Sequence, residues 1–212
     1  MDEALVSEIV RRLLDKLNVG LSDPSLVVAG VSNRHIHLTA VDVKILFGED
    51  YALTKLRDLR QPGQYACKET VTIVAPGGVL ENVRILGPIR KNTQVEMAMS
   101  DAIRLHIDIP LIKSGSSQPC PPIIVLGPKG HIVLTKGVGI AWRHMHLSPT
   151  EAQTLGLRDG QEVDVEVKGD RGLIFKRVWV RVGPDMISEF HVDIDEANAC
   201  GLKTGDYVRV LV

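Results

Sequence analysis

Asn33-Arg34-His35-Ile36-His37-Leu38-Thr39 recurs as Trp142-Arg143-His144-Met145-His146-Leu147-Ser148, and the shared R-H-x-H-L-[ST] pattern decides how the rest of the chain is read. Two copies of one six-residue pattern imply an internal duplication. A second correspondence follows each copy. Val83-Arg84-Ile85-Leu86-Gly87-Pro88 resembles Val180-Arg181-Val182-Gly183-Pro184. Each Gly-Pro then leads to an acidic residue followed by alanine, Asp101-Ala102 and Glu196-Ala197, and Glu96 and His191 stand at matching distances before those alanines. A third echo, Gly156-Leu157 with Gly160 and Gly201-Leu202 with Gly205, precedes two strand-like runs. The chain reads as two related units.

Outward from the repeat, short apolar runs bounded by Gly and Pro fall at 26–29, 71–74, 83–86, 123–126, 132–134, 163–167, 178–182 and 207–212. Their length and β-branched content predict strands, and their number predicts a mainly β protein of barrel or sandwich class. Short helices are expected at 40–46, 94–102, 149–155 and 195–199. Residues 2–17 carry an apolar stripe (Leu5, Ile9, Leu13, Leu17, widened by Val6, Val10 and Leu14) that predicts an amphipathic helix. Asn18-Val19-Gly20 ends it, and Ser22-Asp23-Pro24 reads as a linker. Such a helix either packs on its own core or docks elsewhere.

On a strand, residues i and i+2 share a face, so His-x-His sets two imidazoles side by side, about 6–7 Å apart at the backbone. Neutral imidazole is a good zinc ligand, and a third donor leaves one position open for chemistry. The repeat supplies His35, His37 and Glu96 in one unit and His144, His146 and His191 in the other. A lone pair is a common accident; five of seven histidines in one repeated pattern are not. His106 and His131 have no partner at ligand spacing and read as structural. Arg90 lies in the turn-prone stretch Gly87-Pro88-Ile89-Arg90-Lys91-Asn92-Thr93. Guanidinium near metal suits an anion, but a solvated loop charge explains it as well. Arg34 and Arg143 would point away from His35 and His144, so they read as supporting residues.

Composition sets the outer bounds. At 212 residues the chain can bury a sizeable core. Net charge of −1 without a long basic run speaks against nucleic acid, and no apolar stretch approaches the roughly 20 residues that span a membrane. Cys67, Cys120 and Cys200 lack CxxC spacing, which suits a reducing compartment and offers no adjacent Cys-His nucleophile.

The motifs R-H-I-H-L-T, G-P-x-R-x-x-T-Q-V-E, W-R-H-M-H-L-S-P and F-H-V-D-x-D-E-A-N-A, in that order, resemble those of the PduL-type phosphate acyltransferases, the phosphotransacylases of bacterial microcompartments. The resemblance runs from Ser25 to Val212. It implies two β-barrels capped by short helices, with residues 24–33 plus 142–212 in one, 34–141 in the other, and 1–23 as the N-terminal helix and linker. It implies two zinc ions per chain, on the six residues the repeat selects, and an essential Arg90. Coenzyme A contacts fall on Ser32, Arg57, Arg84, Leu86 and Asn198. The resemblance further implies propanoyl-CoA and inorganic phosphate as substrates, a homodimer, and residence in a microcompartment lumen, otherwise the cytoplasm, with residues 2–17 as an encapsulation signal toward shell or core proteins. Direct acyl transfer is the expected mechanism. Two other functions fit the same residues: a two-zinc acyl-CoA thioesterase or other hydrolase, and a β-barrel binding or assembly module with structural zinc.

Overall fold

The structure is a computed structural model and describes residues 23–113, 115 and 117–212; the expected helix at 2–17 lies outside them. In chain order the described elements are β1 (Leu26–Ser32), β2 (His35–His37), α1 (Ala40–Phe47), β3 (Lys55–Asp58), β4 (Tyr65–Ala75), β5 (Gly78–Gly87), β6 (Gln94–Met97), α2 (Met99–Arg104), β7 (Leu111–Ile112), β8 (Pro119–Leu126), β9 (His131–Lys136), β10 (Val138–Ala141), β11 (His144–Leu147), α3 (Pro149–Leu155), β12 (Glu162–Val167), β13 (Leu173–Val182), β14 (Glu189–Asp193), α4 (Ile194–Cys200) and β15 (Tyr207–Leu211). The fold is mainly β, as the apolar runs predict.

Two sheets divide the strands. One closes into a six-stranded barrel in the order β1-β14-β11-β13-β12-β15, with β15 returning to β1. The other runs β7-β10-β6-β2-β5-β4-β8-β9, with β3 added beside β4, and stays open as a half-barrel. Each has its own apolar core.

The duplication is visible as a four-strand unit in each sheet. Strand β2 is parallel to β5 and antiparallel to β6, which is parallel to β10. Strand β11 is parallel to β13 and antiparallel to β14, which is parallel to β1. The fourth strand of each unit directly precedes the His-x-His strand of the other, β1 before β2 and β10 before β11, so the chain crosses between sheets twice.

Every position of the repeated pattern has a physical reason. Ile36 and Met145 point into the two cores and are fully buried, as are Leu38 and Leu147. The histidines therefore lie on the opposite face of each strand. Thr39 caps the N-terminus of α1 by accepting from the Asp42 N–H, and Ser148 caps α3 in a reciprocal capping box with Glu151. Arg34 forms a two-pronged ion pair with Asp101 on α2, and Arg143 pairs with Glu196 on α4 at 2.8 Å. Each arginine thus ties a His-x-His strand to the helix that follows the third donor's strand.

The helix expected at 94–102 is corrected. Residues 94–97 form β6, and α2 begins only at Met99. Gln94, Val95, Glu96 and Met97 are all buried because β6 is sandwiched between β2 and β10 and covered on both faces. A four-residue strand without alternation carries no period to read.

Candidate active site

Antiparallel pairing sets His35 opposite Glu96 and His37 opposite Gln94. His35 Nε2 lies 3.5 Å from Glu96 Oε2, and the two imidazoles stand edge to face with centroids 5.1 Å apart. In the barrel, His144 is opposite His191 and His146 opposite Glu189. One ring nitrogen from each of His144, His146 and His191 lies within 4.8 Å of the others. His35, His37, Glu96, His144 and His146 are no more than 7% exposed although they stand outside both cores, so the two sheets cover one another here.

Hydrogen bonds orient the rings. Nδ1 of His35 meets the Asn33 carbonyl at 2.8 Å, Nδ1 of His37 the Leu86 carbonyl at 3.2 Å, and Nδ1 of His144 the Trp142 carbonyl at 2.8 Å. A carbonyl only accepts, so Nδ1 carries the proton and Nε2 is the free base. Nδ1 of His146 faces the Met186 thioether. Burial, reinforced by neighbouring imidazoles and arginines, draws His37 down to about 2 and His146 to about 3, and holds His144 well below its ordinary value. These rings are neutral at pH 7.

Three observations fit a divalent cation such as zinc, one at Glu96 and two at the His144, His146 and His191 cluster; among the described residues only the latter trio draws all three donors together. Among the described residues, Glu96 Oε1 is buried without a hydrogen-bond partner, a costly state for a carboxylate. Nε2 of His144 and Nε2 of His146 converge to 3.0 Å. Gly30, on β1 opposite His191, leaves the space a side chain would take: a Cβ there would stand 2.6 Å from Glu189 Oε1 and 2.8 Å from His191 Cδ2. Neutral imidazoles with one carboxylate form a borderline donor set of the type zinc accepts.

Cations frame the clusters. The Arg90 N–H donates to the Leu38 carbonyl, fixing the loop beside the first histidine pair. Burial draws the Arg90 guanidinium below its ordinary value while Glu96 acts to raise it; Arg181 on β13 behaves the same way, also feeling Glu96 from the opposite sheet. Arg181 thus acts on Glu96 and also on His144 and His146, whereas Arg90 acts on His37 and Glu96. Beside Arg90 opens a cleft of about 320 Å³, lined by Ile89–Gln94 and Gly115; the Gln94 amide nitrogen is buried and has no partner among the described residues.

Other expected residues scatter more widely. Ser32 Oγ lies 3.3 Å from His35 Nδ1, and Leu86 supplies the carbonyl for His37. Arg84 is committed to the carbonyls of Cys67 and Lys68. Arg57 is exposed on β3 and Asn198 exposed on α4, and no hydrogen bond joins either to the histidines among the described residues. Sequence reasoning passed over Arg181, Gln94, Glu189 and Gly30. The first had a signal, since Val180-Arg181-Val182 aligns with Val83-Arg84-Ile85; Gln94 and Glu189 had one too, each two residues before a third donor.

The sequence as a whole matches a family described as phosphate propanoyltransferase over residues 28–203. A phosphate propanoyltransferase of Thermotoga maritima is 53% identical over 190 residues, covering 89% of this chain and 90% of the relative. One from Lachnoclostridium phytofermentans is 45% identical over the full length of both chains. One from Salmonella typhimurium is 45% identical across 95% of this chain and 93% of its own.

Proposed function

The chain belongs to the phosphate propanoyltransferase family, and on that premise we propose that it moves a propanoyl group between coenzyme A and inorganic phosphate at a site holding two zinc ions. The observation that carries this is the convergence of His144, His146 and His191 on the barrel, with His35 beside Glu96 and His37 on the other sheet and the half-buried Arg90 and Arg181 nearby. His35, His37 and Glu96 would hold one ion, and His144, His146 and His191 the other. Bound there, zinc would supply positive charge where the acyl oxygen becomes negative.

The chain's own residues do the rest. Arg90 and Arg181 grip phosphate, and the Gln94 amide nitrogen, which has no partner among the described residues, adds a donor. Ser32 and Leu86 place the coenzyme A sulfur end near the first cluster, with Arg84, Arg57 and Asn198 along its path. Mutual cover by the two sheets keeps water from competing with phosphate. A phosphate oxygen attacks the thioester carbonyl, the C–S bond breaks, and the thiolate leaves; the reverse reaction uses the same groups. Transfer is direct. Burial pushes the Cys67 thiol up to about 11 and raises Cys120, and Cys200 is buried with its sulfur against the Glu196 and Ala197 carbonyls, so no cysteine is poised as a nucleophile. We extend the reading to two domains divided as the sheets divide, a homodimer, and encapsulation through residues 2–17; the amphipathic stripe there supports the last.

Metal counting tests the assignment. Zinc-saturated protein should carry two ions per chain, and His35→Ala and His144→Ala about one each. Two ions in both variants would remove the ligand assignment.

A further inference from the structure

The turn Gln61-Pro62-Gly63-Gln64 reaches from the half-barrel across to the barrel. Its corner is tight: the Gln64 N–H donates to the Gln61 carbonyl at 3.1 Å, Pro62 presets the second position, and Gly63 takes the left-handed conformation, φ 73°, that the third position demands. Gln61 is 8% exposed, and its amide is fully used. Nε2 donates to Glu189 Oε2 at 2.7 Å and to the Ile187 carbonyl at 3.0 Å, while Oε1 accepts from the Ile187 N–H at 3.3 Å. Glu189 in turn lies 2.9 Å from His191 Nε2. Burial alone would raise this carboxyl, but the His191 and Gln61 hydrogen bonds hold it below its ordinary value.

We propose that Gln61 is a positioning residue for the second histidine cluster, acting through Glu189 to fix the His191 ring. Three features carry this. All three side-chain hydrogen bonds of Gln61 end on the start of β14 or the residue two before it, so the turn grips the strand that presents His191. Glu189 and His191 share one face of β14, and both lie against Gly30, which leaves them the room a side chain there would take. The grip comes from the opposite sheet, so the arrangement of the barrel's cluster depends on how the half-barrel docks. At the other corner, Gln64 Oε1 accepts from Arg90 Nη2 at 3.4 Å, so the same turn touches both the arginine proposed to grip phosphate and the strand that presents His191. Partners of this kind around a metal-binding histidine are worth about 10–100-fold in metal affinity.

This role rests on the proposed metal at His144, His146 and His191. Zinc release to a chromophoric chelator tests it on the full chain, with His35→Ala and His144→Ala identifying which phase belongs to which cluster. Gln61→Ala should speed release from the second cluster about 10–100-fold, leave the first cluster's phase at the wild-type rate, and keep the thermal midpoint near that of wild type. Gln64→Ala should leave both phases unchanged, separating the grip on Glu189 from general loosening of the turn. Unchanged or slower release from the second cluster in folded Gln61→Ala overturns the role, and so does equal acceleration of both phases in both variants, which is what a merely structural turn would give. Wild-type protein that takes up no zinc overturns the metal reading itself, and the positioning role with it.

Discussion

At the scale of single residues, the site is built from what flanks the histidines as much as from the histidines. Gly30 shows this most sharply. It sits in a strand with no turn to make, and glycine there costs the sheet stability. The compensation is room: Glu189 and His191 fold over its α-carbon. Gly30→Ala should lower stability by about 1–3 kcal/mol through overpacking and drop zinc from two ions to about one, losing the second cluster first. Denaturant unfolding and metal analysis check both, and a Gly30→Ala protein retaining two ions would show that the space has another purpose. The six proposed donors were legible because the duplication repeats them. Gly30 was not, because its role exists only in the register between β1 and β14, which no local pattern reports. Nor was Gln61, whose partners lie on the other sheet.

At the scale of elements, legibility followed length and period. The long strands β4, β5 and β13 were found from their β-branched runs, and the helix expected at 149–155 is α3, whose start carries a Ser148 cap and Pro149. Strand β6 was mistaken for the start of a helix because both its faces are buried. That error concealed why Glu96 and Gln94 matter: strand pairing, not helical spacing, aims them at His35 and His37. The segment 2–17 lies outside the described residues, and its function is argued from its stripe alone. Fused to a fluorescent reporter in cells that assemble microcompartments, residues 1–23 should carry the reporter into them. A reporter that stays diffuse while the full chain is encapsulated would place the signal elsewhere.

At the scale of the whole molecule, two copies of one four-strand unit exchange their outermost strands and bring their histidine faces together. Helices α2 and α4 meet near this junction, where the Ser100 N–H and hydroxyl both bond the Asp195 carboxylate, at 2.8 and 2.7 Å. Bringing buried imidazoles together has a cost when metal is absent. His37, His144 and His146 resist protonation in the fold, whereas in an unfolded chain each titrates near about 6.5. Below that value the unfolded state binds protons the fold refuses, so stability falls as pH falls. Glu196, raised by burial to about 7, and Asp193, raised in the same direction, work the other way, but three imidazoles outnumber them. Metal-stripped protein should unfold at lower urea at pH 5 than at pH 7.5; an equal or higher midpoint at pH 5 would contradict the buried, neutral state of the clusters.

Acyl transfer to phosphate between the two proposed metal-binding clusters is what the protein should perform. Thiol release from propanoyl-CoA by zinc-loaded protein, measured with and without inorganic phosphate, tests it most directly. Release that requires phosphate and yields propanoyl phosphate in equal amount is the predicted result. Release at the same rate without phosphate would make water the acceptor and the protein a hydrolase, and would contradict the account.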